Sequence, residues 1–292
     1  MKVHLIDGTY ELFRSYFAMP SLKAPDGREV GAVRGFIQST LSLLRTRNVT
    51  HVGCAFDHEI RSFRNDLFPG YKTGEGVAEE LVAQFPLAEE AASALGLVVW
   101  PMIEFEADDA IATAAVKASD EPEVAQVIIC TPDKDLAQMV EGERVVCLDR
   151  RKDAIIDEDG VASKFGVSPR SIPDYLALVG DAADGIPGIA RWGAKSTSQA
   201  LQRYERIEEM PLDASEWDVK IRGLATMVKN LAEGYEDALL YKRLATLRTD
   251  VPMREGLAEL EWRGVRRGEF ERFCEDLGAP RLMGLPHRWE DT

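Results

Sequence analysis

The sequence predicts an α/β protein with a doubly wound, mostly parallel sheet, on two observations. Four short apolar runs rich in Val and Ile have the length and composition of buried parallel strands: 3–6, 51–56, 95–100 and 127–130. Between them lie segments with apolar residues at three- and four-residue spacing, as in amphipathic helices: 35–47, 79–95 and 107–119. Strands that alternate with helices favour right-handed crossovers and a ligand site at the carboxyl ends of the strands.

The second half of the chain is predicted to be helical. A Gly/Pro-rich stretch at 180–195 separates a helical segment at 170–179 from a helix-like segment that starts at 196. This pattern predicts two helices joined by a glycine hairpin at about 180–197. We therefore divide the chain into an α/β domain over residues 1–165 and a helical region over 166–292.

Composition limits the location and the partners of the protein. No apolar run approaches the roughly 18 residues that suggest a membrane span, and the N-terminus lacks the features of a signal peptide. We expect a cytoplasmic protein without a membrane partner. The 292 residues include 50 acidic and 35 basic ones, a net charge of −15. Since nucleic-acid-binding proteins are often basic, this charge argues against such a partner unless cations neutralise many of the acids.

Acidic residues follow almost every predicted strand. Any one of them has an equally good explanation as a turn or helix-cap residue. Seven carboxylates at one edge of a parallel sheet, however, would repel one another strongly unless cations or protons neutralised them. These seven residues are Asp7, Asp57, Glu106, Asp108, Asp109, Asp133 and Asp135.

Oxygen ligands without His or Cys neighbours favour Mg²⁺ or Mn²⁺ over zinc. Two such ions about 3.5–4 Å apart activate water and stabilise both oxygens of an in-line phosphate displacement. Asp181 and Asp184, three residues apart before a Gly-Pro turn, add a weaker signal of the same kind. Setting aside nine acids as metal ligands leaves 41 acidic residues (50 − 9) against 35 basic ones, which is compatible with DNA.

Nine motifs along the chain form a recognisable set: LIDGTYELFRSYFA at 5–18, GAVRGF at 31–36, FD at 56–57, SFR at 62–64, GYK at 70–72, EADD at 106–109, TPDKDL at 131–136, LVGDAADGIPGI at 178–189 and LATLRTDVPM at 244–253. With these motifs the chain resembles, over most of its length, the 5′ nucleases, which include flap endonucleases and the 5′–3′ exonuclease domain of bacterial DNA polymerase I. The resemblance implies a PIN-like α/β domain, a helical arch at about 73–95 and a helix–three-turn–helix region that binds duplex DNA.

The resemblance also implies a two-metal phosphodiesterase. Lys72 would contact the scissile phosphate and stabilise its developing charge, although a solvated surface lysine is the alternative. The predicted catalytic set is Lys72 with Asp7, Asp57 and Asp133. The implied ligands are Asp7, Asp57, Glu106 and Asp108 for the first ion and Asp133, Asp135, Asp181 and Asp184 for the second, with Asp109 close to both.

Several further residues are implied to bind the substrate. Tyr71 would stack on a base, or else be a half-buried core tyrosine. Arg14 and Arg64 would contact phosphates, or else pair with carboxylates. In the hairpin, where K⁺ is a candidate ligand, backbone amides would hold duplex phosphates, and bare turn geometry is the alternative for the glycines. The hairpin residues are Gly188, Gly193, Lys195 and Ser196.

The chain departs from the family pattern at three places. Glu75 stands where relatives commonly carry Arg, Gly185 replaces an Asn, and Arg191 or Trp192 replaces a hairpin glycine. We expect a monomeric, structure-selective 5′ nuclease that acts on 5′-flap or 5′-ended DNA. Two alternatives stay open: a metal-dependent ribonuclease and a non-catalytic protein that binds branched DNA.

Overall fold

A computed structural model describes residues 1–290 of the chain. The chain forms two compact units, and each is assembled from separate segments. The first unit comprises residues 1–60, 74–131 and the chain from 248 onward, and the second comprises residues 61–73 and 132–247. The sequence-based boundary at residue 165 stays a prediction.

The first unit is built on parallel strands in the order β3-β2-β1-β4. The chain therefore winds in one direction from β1 to β3 and then crosses to the other side of β1. In such sheets the ligand site lies where the winding direction reverses, here between β1 and β4. The predicted parallel α/β architecture is confirmed. The strands are β1 (Lys2–Asp7), β2 (His51–Asp57), β3 (Val98–Met102) and β4 (Gln126–Cys130).

The helices of both units follow the predicted pattern of strands alternating with helices in the first half and mostly helices in the second. In chain order the helices are α1 (Gly8–Ala18), α2 (Gly31–Thr46), α3 (Phe63–Leu67), α4 (Glu79–Val82), α5 (Phe85–Ala94), α6 (Ala107–Ser119), α7 (Glu158–Phe165), α8 (Ile172–Val179), α9 (Ala194–Tyr204), α10 (Leu224–Glu233), α11 (Tyr235–Ala245) and α12 (Arg267–Asp276). The first unit contains α1, α2, α4, α5, α6 and α12, and the second unit contains α3 and α7 to α11.

Two predicted elements of the first unit differ from the structure. The helix expected over 79–95 is divided into α4 and α5, because Pro86 lacks an N–H and fits only the first turn of a new helix. The strand expected from 95 begins at Val98 instead, because Gly96 has a left-handed φ of 80° just after α5 ends. No helix among residues 1–290 is long and apolar enough to span a membrane.

The second unit contains an antiparallel hairpin, β5 (Val145–Asp149) and β6 (Ala154–Ile156), together with its helices. Helices α8 and α9 flank the glycine-rich segment, as predicted. A buried ion pair links α8 to α11, since Lys242 Nζ lies 2.9 Å from the buried carboxylate of Asp174. The hairpin segment thus starts from a helix that is fixed to its neighbour.

Candidate metal centre

Two of the predicted ligands lie at the ends of neighbouring strands in the first unit. Asp7 ends β1 and pairs in register with Ala55, so that Asp57 lies two residues further along β2. Both carboxylates are 5% exposed. Asp7 also caps α1, accepting a 2.8 Å hydrogen bond from the N–H of Tyr10. The explanation as a helix cap therefore applies to this residue, and its role as a metal ligand stays a prediction.

The EADD motif lies at the start of α6 in the same unit. The N–H of Ala107 donates a 2.8 Å hydrogen bond to Asp57 Oδ1, which ties the beginning of α6 to the end of β2. Asp109 is fully buried and accepts hydrogen bonds from the N–H groups of Glu106 and Arg248 at 3.0 and 2.9 Å. A carboxylate at a helix N-terminus is stabilised by the helix dipole. The start of α6 is therefore an electrostatically favourable place for a group of carboxylates.

Three predicted ligands are grouped in the second unit. One carboxylate oxygen from each of Asp135, Asp181 and Asp184 lies within 4.8 Å of the other two. Oδ1 of Asp135 is buried and has no hydrogen-bond partner. A buried carboxylate oxygen without a protein partner is costly, so it fits a ligand for a cation. Asp133 adjoins this group, and its Oδ1 accepts a 2.9 Å hydrogen bond from the N–H of Asp135.

The electrostatics of this group favour a cation. Burial raises the pKa of Asp135 well above its usual range, and the neighbouring carboxylates, Asp133 first among them, raise it further. A divalent cation would reverse this balance by stabilising the charged form. The group therefore has the chemistry of a hard-metal site.

The side chain of Lys134 lies against the group. Lys134 Nζ is 2.5 Å from Oδ2 of Asp181. Burial disfavours the charged ammonium, but the hydrogen bond and charge of Asp181 outweigh burial and raise the pKa of Lys134. The ammonium therefore stays charged beside the carboxylates.

The predicted catalytic lysine is fixed through its backbone. The N–H of Lys72 donates a 3.0 Å hydrogen bond to the carbonyl oxygen of Asp184. Asn65 Nδ2 donates to the carbonyl oxygens of Tyr71 and Lys72 at 2.8 and 3.2 Å. The GYK segment is thus attached to the turn that carries two of the three grouped carboxylates.

Two family models cover most of the chain. The model of the 5′–3′ exonuclease N-terminal resolvase-like domain matches residues 2–166, and the model of the 5′–3′ exonuclease C-terminal SAM fold matches residues 167–268. The chain belongs to the 5′–3′ exonuclease family. This confirms the predicted family.

Individual members of the family give the same result. A 5′–3′ exonuclease of Aquifex aeolicus is 32% identical over 97% of this chain and 93% of its own length. DNA polymerase I of Bacillus subtilis is 30% identical over 97% of this chain, which spans 32% of that polymerase. The bacteriophage T5 D15 flap endonuclease, solved in a pseudo-enzyme–product complex with DNA and metal ions, matches with a TM-score of 0.68 at 18% identity, over 85% of this chain and 90% of that one. This likeness confirms the predicted PIN-like fold.

Two predicted substrate contacts of this 5′–3′ exonuclease family member need correction. Tyr71 is 2% exposed, so its ring is packed inside the protein and is not available to a base. Arg64 is 1% exposed and donates to the carbonyl oxygens of Leu244 and Thr246, so it holds backbone instead of contacting a phosphate. Arg14 pairs with the carboxylate of Glu11 while part of its side chain stays exposed, so its contact with a phosphate stays a prediction.

The hairpin residues lie in a tight turn before α9 and in the first turn of that helix. Gly188 has a φ of 72°, and an added Cβ would lie 2.6–2.8 Å from the backbone of Gly180 and Val179, so glycine is required there by geometry. Gly193 precedes α9, where its N–H donates to Ser196 Oγ at 3.2 Å. Lys195 is exposed in the first turn of α9. The turn geometry explains Gly188, and phosphate binding at this turn stays a prediction.

The structure resolves two of the departures from the family pattern. Arg191 has a left-handed φ of 73°, whereas Trp192 is buried and donates from Nε1 to the carbonyl oxygen of Met227. Arg191 is therefore the residue in the backbone conformation that favours glycine. Gly185 also has a φ of 73°, and an added Cβ would lie 2.2 Å from the carbonyl oxygen of Gly70. Glycine at 185 permits this close approach of the GYK segment.

Sequence reasoning missed three residues of the site. Thr131 follows β4 and donates a 2.9 Å hydrogen bond to Asp7 Oδ2. Asn65 and Lys134 were not singled out. Lys134 lies between two predicted ligands in the sequence, and this position could have indicated that it belongs to the site. Asn65 donates hydrogen bonds to backbone carbonyl oxygens, and no sequence pattern predicts such contacts.

Proposed function

We propose that this chain is a structure-selective 5′ nuclease that hydrolyses phosphodiester bonds of 5′-flap or 5′-ended DNA with two divalent cations, Mg²⁺ or Mn²⁺. The observation that carries the proposal is the group of Asp135, Asp181 and Asp184 with its buried, unpartnered oxygen. The DNA and metal ions in the solved T5 relative support the same choice of partner and cofactor. We further propose a monomer that acts in the cytoplasm, with K⁺ as a candidate ligand of the hairpin.

The proposed ligands divide between the two units. In the first unit Asp7, Asp57, Glu106 and Asp108 would hold one ion, with Asp109 beside them. In the second unit Asp133, Asp135, Asp181 and Asp184 would hold the other. When bound, the two ions supply a water nucleophile and stabilise the attacking and leaving oxygens of the displacement.

The chain's own residues position the substrate in this proposal. Lys72 brings a positive charge to the scissile phosphate, and its backbone bond to Asp184 fixes the point from which that side chain extends. Lys195 and the backbone amides at the start of α9 contact duplex phosphates without reading sequence. Because Tyr71 and Arg64 are buried, neither side chain is proposed to touch DNA, and Arg64 instead holds the carbonyl oxygens of Leu244 and Thr246.

The experiment that tests the proposal compares a labelled 5′-flap duplex with single-stranded DNA and a matched RNA, each with Mg²⁺, Mn²⁺ or chelator. We expect metal-dependent cleavage near the flap junction. Asp133→Asn should abolish cleavage and retain flap binding, whereas Asp218→Asn, which alters an exposed ion pair with Arg203, should leave both unchanged. Preferential RNA cleavage would favour a ribonuclease, and flap binding without any cleavage by the unaltered chain would favour a non-catalytic binder.

A further inference from the structure

Lys134 lies within the second carboxylate group without being one of its ligands. Its ammonium is 2.5 Å from Oδ2 of Asp181, and its side chain is 34% exposed. The Asp181 side chain is 3% exposed, so this ion pair has one buried and one partly solvated partner. In the second unit, Lys134 thus brings a positive charge into contact with the group proposed to bind the second metal ion.

We propose that Lys134 is a built-in countercation of this site. Its ammonium neutralises Asp181 while no divalent ion is bound, and it leaves Asp181 when the ion binds. This inference rests on the proposed function, because it requires that a divalent ion binds to Asp181 and its neighbours.

The first step is that a nearby positive charge stabilises the group while no metal ion is bound. Grouped buried carboxylates repel one another, and burial removes the water that would otherwise screen them. Lys134 compensates one of these carboxylates. Oδ1 of Asp135 stays without a hydrogen-bond partner, so the group keeps an open coordination position beside the ion pair.

The second step is that the ammonium and a divalent ion compete. Both are positive, and both would contact the same carboxylate of Asp181, so bringing them together is unfavourable. Lysine suits displacement because it is a compact point charge on a flexible stem. With one third of its side chain exposed, Lys134 has access to solvent when it leaves Asp181.

The consequence is that Lys134 lowers the affinity of the site for its ion and stabilises the metal-free protein. Divalent ions still displace it because their charge is twice that of the ammonium. A weakened second site favours exchange of the ion with solvent between rounds of catalysis. Lys134 is in this sense a positioning and affinity-setting residue, and it does not contact the reacting atoms.

The test is calorimetric titration of the full chain, without DNA, with MnCl₂ and with MgCl₂. We expect Lys134→Met to bind the ion of the second site on the order of tenfold more tightly, because one repulsive charge has been removed. The first-unit ion should bind as in the unaltered chain, which provides an internal control. Lys152→Met is the matched control, since Lys152 pairs at 3.5 Å with Asp149, a residue outside the group, and is 76% exposed.

Thermal unfolding gives a second readout. Lys134→Met should lower the Tm of the chelated protein and increase the rise in Tm that Mn²⁺ produces, because binding to the native state adds to stability. Lys134→Arg, which keeps the charge, should restore the Tm of the chelated protein. If Lys134→Met does not fold, Lys134→Gln carries the same expectations.

Three outcomes would overturn the inference. An equal loss of Tm with and without metal, at unchanged ion affinity, would make Lys134 a purely structural lysine. Weaker ion binding by Lys134→Met would show that the lysine assists the ion. If Asp181→Asn binds ions as tightly as the unaltered chain, Asp181 does not hold a metal ion, and both the inference and the proposed second metal site are wrong. The first two outcomes contradict only the inference and leave the proposed function intact.

Discussion

The backbone N–H of Lys72 and the carbonyl oxygen of Asp184 are joined by a 3.0 Å hydrogen bond. This bond connects the GYK motif to the GDAADGIPG motif, which lie more than a hundred residues apart in the sequence. Asn65 holds the same segment from the other side through the carbonyl oxygens of Tyr71 and Lys72. Because all these contacts use backbone groups, they set the place of the lysine independently of its ammonium.

Replacing the Lys72 ammonium is expected to affect catalysis and little else. Lys72→Met should lower single-turnover cleavage of a 5′ flap by roughly 10²–10³-fold, the usual effect of removing one group that stabilises transition-state charge. Flap binding measured by anisotropy, and Tm, should stay close to those of the unaltered chain, because the backbone bonds remain. Lys229→Met, at a side chain that is 70% exposed, is the control. Unchanged cleavage by Lys72→Met would assign Lys72 to the solvated surface.

Gly185 is expected to tolerate no side chain. An added Cβ would meet the carbonyl oxygen of Gly70 at 2.2 Å, and backbone cannot move aside as a flexible side chain can. Gly185→Ala should therefore cost about 2 kcal/mol or more in the free energy of unfolding and also reduce cleavage by displacing Lys72. Urea denaturation and flap cleavage measure the two effects.

The control for this variant is Gly223→Ala. Gly223 has a φ of 80°, close to the 73° of Gly185, but an added Cβ would meet nothing within 4 Å. The two variants share the cost of a left-handed backbone, and only Gly185→Ala adds the close contact. Equal losses of stability would show that the contact with Gly70 is not important.

The acids that follow buried strands, such as Asp7 and Asp57, were predictable from sequence because those strands are recognised by their apolar runs. Asp181 and Asp184 follow helix α8 instead, so their grouping with Asp135 was implied by the family resemblance and not by the strand pattern. Tyr71 and Arg64 were not predictable, because a motif states which residue is present but not whether its side chain points inward. Lys134 lay inside a recognised motif, yet only three-dimensional distances show that its charge is directed at Asp181.

Arg191 is expected to reduce the stability of the hairpin. A non-glycine residue at a φ of 73° is strained by the approach of its Cβ to the backbone, at a cost of roughly 1–2 kcal/mol. Replacement by glycine removes this strain, but glycine also loses more conformational entropy on folding, which offsets part of the gain. Arg191→Gly should therefore raise the free energy of unfolding by about 0.5–1 kcal/mol in urea denaturation. Arg222→Gly, at a residue outside the left-handed region, should lower it. A loss of stability in Arg191→Gly would show that the guanidinium makes a stabilising contact that exceeds the strain.

Glu29 is expected to make stability depend on pH in the acid range. Its side chain is 6% exposed. Its carboxylate accepts hydrogen bonds from the N–H groups of Leu22 and Gly31 at 2.8 and 3.0 Å and from the hydroxyl of Ser21 at 2.6 Å. Burial alone would raise the pKa of Glu29, but these bonds and the nearby Lys23 outweigh burial and lower it from 4.5 to about 2. The charged carboxylate therefore holds the loop that leads into α2.

The direction of the pH dependence follows from the lowered pKa of Glu29. The unfolded chain takes up the proton first, near pH 4.5, so the stabilisation is complete above that pH and is lost as the pH falls toward 2. Glu29→Gln should cost on the order of 1–3 kcal/mol at pH 7. The variant should also lose less stability than the unaltered chain between pH 4.5 and 2, as measured by urea denaturation at a series of pH values. Asp26→Asn, at a carboxylate that is 49% exposed, should change the pH profile much less. If the free energy of unfolding of Glu29→Gln and of the unaltered chain changed with pH in parallel, the pKa of the carboxylate would be the same in the folded and the unfolded chain. The hydrogen bonds of the carboxylate would then stabilise the loop no more than those of a neutral amide.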